Sequence, residues 1–227
     1  MLPRILTWDI ETSTSNFKAN SGFLVCVGFK ALGKPVEILQ RNNMLPDPLN
    51  DRTLVQQVYQ KLISADMWIT HNGKWFDIPY MQSRLLKWGL APLPAIPNFD
   101  TCELGFKRLK IKNSLEAMGE YFGCKIKKYK VSMDTWIRAY VGNKAAMAEI
   151  VRHCEADVKL TEQVYLSLRP LGIVVPNLYQ FKDFSKGCPK CGATGRMESR
   201  GFGYATKRAY RKFQCQACLG WTRGSYV

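Results

Sequence analysis

Short apolar runs open the chain. Residues 4–9 (RILTWD), 23–30 (FLVCVGFK) and 36–40 (VEILQ) are rich in Val, Ile, Leu and aromatic residues, which predicts a meander of strands. From Asp51 to Ala65 the period changes. Leu54, Val58, Leu62 and Ile63 recur at helical spacing, and residues 67–70 (MWIT) return to strand character. Residues 78–88, 114–122 and 144–168 are again helical in period, with Pro92, Pro94 and Pro97 marking an extended connection after the first of them. Beyond Pro170 the helical period disappears, Gly and aromatic residues rise, and only Asp183 and Glu198 oppose a long series of Lys and Arg. The pattern predicts an α/β domain over residues 1–170, a linker over 171–187 and a small separate module over 188–227.

Composition narrows the classes. A chain of 227 residues can bury one sizeable core and carry a small appendage. The hydrophobic share of 46% and charged share of 22% are ordinary for globular proteins, which excludes a disordered chain. A net charge of +15 points to a polyanionic partner, because clustered cations gain by releasing counterions from phosphates; a merely solvated basic surface is the plainer alternative. No run reaches the roughly 20 apolar residues of a membrane span, and residues 2–9 lack the features of a secretory leader. A cytoplasmic protein with no membrane partner is expected.

The candidate chemistry lies in three acidic words. Asp9 and Glu11, two apart in WDIET on a predicted strand, point to the same face. Paired carboxylates repel without a cation, and hard oxygen ligands suit Mg²⁺ or Mn²⁺; taken alone, the pair also fits two solvent-facing acids. Asp77, in HNGKWFD, stands where a polar turn hands over to a helix, a position that also suits an acid favoured by the helix dipole. Asp157 lies on the last long helix, with His153 four residues earlier on the same face. A surface or ion-paired helix acid is the alternative there.

WDIET, HNGKWFD and HCEADV, in that order, resemble the three exonuclease motifs of the DEDD (DnaQ-like) superfamily, and the resemblance covers roughly residues 4–168. The wording is most similar to the proofreading domains of family B DNA polymerases and to stand-alone bacterial or phage exonucleases. The resemblance implies a ribonuclease H-like fold, a mixed sheet flanked by helices. It also implies two Mg²⁺ or Mn²⁺ ions held by Asp9, Glu11, Asp77 and Asp157, a role for Glu11 at the terminal nucleotide, and the cytosol of a bacterium or phage-infected host. Subgroups differ by a Tyr four residues before the last Asp or a His five before it. Here Arg152 fills the five-before place and His153 the Tyr slot, so His153 is a candidate general base or a hydrogen-bond partner behind the metal ligands.

Weaker candidates surround these. His71 and Asn72 are placed to touch the substrate backbone, although Asn72 also suits a cap. Trp75 and Phe76 stack on bases or pack in the core, with packing expected for at least one. Asp100 reads as an N-cap and is kept out of the catalytic set. Lys107, Arg108, Lys110 and Lys112, with Lys125, Lys127, Lys128 and Lys130, form two basic runs with phosphate affinity, Lys128 among the expected nucleic-acid contacts.

Cys188 and Cys191, then Cys215 and Cys218 after a spacer of 23 residues, form two C-x-x-C pairs. Four thiolates at that spacing predict one structural Zn²⁺, needed because so small a module has little core. Cys26, Cys102, Cys124 and Cys154 show no pairing and are expected to be inert. Between the pairs, MESRGFGYATKRAYRKFQ predicts a β-hairpin and resembles a zinc ribbon. Arg200, Lys207, Arg208, Arg211 and Lys212 on it are candidate nucleic-acid contacts, with Phe202, Tyr204, Tyr210, Phe213 and Trp221 available for stacking or for the ribbon's own core.

The expected function is a metal-dependent 3′-to-5′ exonuclease acting on single-stranded or frayed ends, with DNA favoured by family likeness and replication or repair proteins as possible partners. The alternatives are a ribonuclease H-like endonuclease of the transposon or resolvase type and a catalytically silent nucleic-acid-binding module. In the transposon type the ribbon is expected before the last catalytic Asp, whereas here it follows Asp157.

Overall fold

The structure, a computed structural model, describes residues 4–13, 18–41, 50–171, 187–205 and 208–226. Contacts divide the chain into two units, one of residues 3–164 and one containing residues 165–227. The expected linker lies outside the described residues except at its two ends.

The first unit is built on a mixed sheet. Its strands are β1 (Ile5–Thr12), β2 (Leu24–Ala31), β3 (Val36–Gln40), β4 (Met67–Thr70) and β5 (Asn98–Asp100), in the order β3-β2-β1-β4-β5. β1 pairs antiparallel with β2 and parallel with β4, and β5 continues the parallel half. Being central, β1 is paired along both edges, so it runs through Asp9 and Glu11 to Thr12 instead of ending at Asp9 as the apolar run suggested.

Helices α1 (Arg52–Ile63) and α2 (Asp77–Lys87) belong to one core. There Val55, Val58, Leu62, Met81 and Leu85 cluster with Trp8, Leu24, Val27, Phe29 and Trp68 of the sheet. A second core joins Phe23, Val25 and Cys26 to Ala139, Ala146, Met147, Ile150 and Cys154. The last five belong to α5 (Met133–Tyr140) and α6 (Lys144–Leu168), which the short α3 (Thr101–Leu104) and α4 (Leu115–Tyr121) precede. Gly28 sets how closely α6 lies on the sheet. A Cβ there would stand 2.7 Å from Cγ2 of Val158 and 3.0 Å from Sγ of Cys154, so a bare backbone is required for the helix to bring His153 and Asp157 up to β1.

The second unit carries a three-stranded antiparallel sheet, β6 (Met197–Ala205), β7 (Arg208–Cys215) and β8 (Trp221–Tyr226). The hairpin is the one expected; the third strand was not foreseen.

Candidate active site

The site forms where β1 meets α2 and α6. Asp9 and Glu11, alternate residues of β1, direct their carboxyl groups to one side. Asp77 begins α2 and is buried beneath them, its Oδ1 accepting the Ile10 N–H at 3.0 Å. Asp157 and His153, one turn apart on α6, complete the group. A cleft of about 570 Å³ is lined by Asp9, Glu11, Lys128, His153 and Asp157, with Phe76, Trp136 and Tyr140 among its apolar walls.

Burial and crowding of like charge define the electrostatics. Asp9 is pushed well above the usual carboxylate range by burial and by the charges of Asp77 and Asp157. Burial, with Asp9 and Asp157, does the same to Glu11. Burial raises Asp77 to about 7, against the lowering effect of the Ile10 N–H. Asp157 Oδ2 accepts from Lys128 Nζ at 2.7 Å, while its Oδ1 is buried with no hydrogen-bond partner. Burial alone would lower the Lys128 ammonium, but the charge and hydrogen bond of Asp157, aided by Asp9 and Glu11, outweigh it.

The orientation of His153 follows from one contact. Its Nδ1 meets the Tyr129 carbonyl, which can only accept, so the proton sits on Nδ1 and the Nε2 lone pair is exposed in the neutral ring. Nε2 lies 3.5 Å from Oε1 of Glu11 and 3.8 Å from Oδ2 of Asp157.

The other expected residues fall differently. His71 does not line the cleft; its Nδ1 is 2.9 Å from Thr101 Oγ1, and burial lowers it to about 4. Asn72 takes the left-handed conformation, φ 65°, and gives its N–H to Asp100. Asp100 also accepts from Lys74 N and caps α3 through Cys102 N and Glu103 N, so its capping role is structural fact. Phe76 packs against the core, whereas Trp75 is 71% exposed. Trp136 and Tyr140, which line the cleft, and the Tyr129 carbonyl against His153 were not among the expected residues.

In the second unit the four cysteines gather, with Cys188 and Cys218 sulfurs 3.8 Å apart and those of Cys191 and Cys215 3.6 Å apart. Tetrahedral zinc with bonds of about 2.3 Å needs sulfurs about 3.8 Å apart, so the donor set fits that ion. Backbone N–H groups of Cys218 and Ala217 outweigh burial and bring the Cys215 thiol down to about 7. Lys207 lies outside the described residues. Arg200 donates to Glu198 at 2.8 Å in a half-exposed ion pair. Register separates the rest: Arg211 pairs with Phe202, while Lys212 pairs with Arg223 on the opposite face and Arg208 pairs with Ala205.

The pattern of the RNase_H superfamily matches residues 6–169, and the chain belongs to that superfamily. Fold and site together define a hydrolytic nuclease of ribonuclease H-like architecture. The family B DNA polymerase of the hyperthermophilic archaeon Pyrobaculum calidifontis is similar in structure, with a TM-score of 0.61 at 18% identity over 74% of this chain. This chain spans only 25% of that polymerase's length. No curated protein matches it. Among the described residues, no helix is long and apolar enough to cross a membrane.

Proposed function

We propose that the chain is a DEDD-type 3′-to-5′ exonuclease that removes terminal nucleotides from single-stranded or frayed ends, DNA before RNA. The observation that carries this is the convergence of Asp9, Glu11 and Asp157 on one cleft with Asp77 beneath, their carboxyls crowded and Asp157 Oδ1 left without a partner. That donor set fits divalent cations with oxygen preference, Mg²⁺ or Mn²⁺. Two such ions, when bound, would supply charge neutralisation at the scissile phosphate and acidify water.

The chain's own groups do the rest. His153, fixed by the Tyr129 carbonyl, presents Nε2 as the base that takes a proton from the attacking water. Lys128 offers a cation to the phosphate beside Asp157. Phe76, Trp136 and Tyr140 provide apolar walls against which a terminal nucleoside rests. Asn72 is exposed and offers a backbone contact, and His71, neutral at physiological pH, steadies the same turn through Thr101. The module of residues 188–227 is a zinc ribbon, with Cys188, Cys191, Cys215 and Cys218 on one Zn²⁺. Arg208, Arg211 and Lys212 of that ribbon retain the nucleic-acid strand.

The test is digestion of matched 5′-labelled single-stranded DNA and RNA with Mn²⁺, run beside Asp9→Ala and Asp157→Ala. A descending ladder absent from both variants is expected. Internal cuts point to an endonuclease, and intact but bound substrate to a binding module.

A further inference from the structure

After the parallel strands β4 and β5, two large aromatic rings stand in solvent, the first of them next in sequence to Phe76 of the cleft wall. Trp75 is 71% exposed in the turn after β4, two residues before Asp77. Phe106 is 68% exposed in a π-helical turn, Gly105–Leu109, that follows α3 after β5. Isolated exposed aromatics are ordinary, but these two are tied to one charged network. Lys74 Nζ lies 5.5 Å from the Trp75 ring centroid and 3.2 Å from Glu103 Oε1, and the same carboxylate accepts from Lys107, the neighbour of Phe106.

Local structure explains the exposure. Asp100 takes the Asn72 and Lys74 N–H groups, which pins the turn and leaves Trp75 outside it. A Cβ on Gly105 would stand 2.9 Å from Sδ and Cε of Met118; Gly105 therefore packs beneath α4 while Phe106 and Lys107 turn outward. Exposed Arg108, Lys110 and Lys112 follow, and Glu103, already shared by two lysines, is the acid among them. Cationic surface around two flat rings suits a polymer with phosphates and unstacked bases, because stacking is indifferent to base identity and phosphate contact to sequence.

We propose that Trp75 and Phe106 form a stacking shelf for unpaired nucleotides lying outside the cleft, with Lys74, Lys107 and Arg108 on their phosphates. This rests on the nuclease reading and gives its substrate class: strands that remain unpaired for several nucleotides beyond the scissile end. Lys74 Nζ stands 5.5 Å from the Trp75 ring centroid, and the ring, 71% exposed, still has surface for a base. Duplex ends, whose bases are already stacked, gain nothing from the shelf.

The test measures equilibrium binding of labelled single-stranded DNA, and of a strand of equal length made of abasic sites, to the full chain carrying Asp9→Ala. Trp75→Ala and Phe106→Ala should each weaken the base-bearing strand about tenfold while leaving the abasic strand unchanged. Trp75→Phe, which keeps a ring, should retain most of the affinity. Equal losses on both strands, or no loss on either, overturn the shelf. Binding is read without hydrolysis, so a failure here is distinguishable from a missing ladder in the digestion assay, which alone bears on the exonuclease reading.

Discussion

Lys128 Nζ lies 2.7 Å from Oδ2 of Asp157, inside a group of carboxylates proposed to hold divalent cations. The ammonium therefore competes with those cations for the same oxygen. Replacing it with a residue of similar length, Lys128→Met, should tighten Mn²⁺ binding about fivefold, as expected for a partly buried ion pair of about 1 kcal/mol. The same change should lower kcat, because the phosphate loses a cation. Calorimetric titration of Mn²⁺ against both proteins checks the first half, and unchanged or weaker affinity would show that Lys128 serves only the substrate.

The buried carboxyls make stability depend on pH in a definite direction. Asp77 is raised from 3.8 to about 7, so the native state holds a proton that the unfolded chain has released between those values. Stability is full below about 4 and falls as pH rises toward 7, by at most about 1.4 kcal/mol per pH unit for this one group. Asp77→Asn, a mimic of the protonated form, should flatten that part of the curve in metal-free protein. Denaturant unfolding at several pH values is the measurement, and parallel curves for the two proteins would refute the assignment.

How much of this was legible depended on whether side chains or backbone carried the signal. WDIET, HNGKWFD and HCEADV are words of side chains, and the structure brings their acids together. α5 was missed although Met133, Trp136, Ile137 and Tyr140 recur at helical spacing, because the stripe lasts only eight residues and faces the cleft, with Met133 and Ile137 left exposed. A second signal was Ser132, whose hydroxyl accepts from Thr135 N as an N-cap. Tyr129 left no trace, since it acts through a carbonyl that every residue possesses. β5 spans only Asn98–Asp100, too short for alternation to register.

Away from the site, Arg84 and Asp51 form a fully buried ion pair, with Nη2 2.6 Å from Oδ1 and Nε 2.9 Å from Oδ2. The Asp51 carboxylate also accepts from Trp88 Nε1 and Leu24 N, and Arg84 Nη1 donates to the Ala19 and Gly22 carbonyls. Arg84→Met leaves Asp51 charged and uncompensated in the core, so a loss of about 3–5 kcal/mol is expected. Asp51→Asn in that background should recover part of it. Urea unfolding midpoints of the two variants decide the point, and a loss below about 1 kcal/mol would mean that solvent reaches Asp51.

The cysteine cluster gives the last prediction. Four sulfurs within 4.8 Å of one another in a small three-stranded unit suit the proposed zinc, which would then supply much of that unit's stability, since bare thiolates there repel one another. Cys188→Ser with Cys191→Ser should remove about one equivalent of zinc per chain, read by elemental analysis. The same double variant should weaken binding to single-stranded DNA with a shallower dependence on salt, because each lost phosphate contact removes about one unit from the slope. Unchanged zinc content would refute the site itself. Zinc loss with an unchanged salt slope would keep the metal and withdraw the ribbon from the nucleic-acid interface.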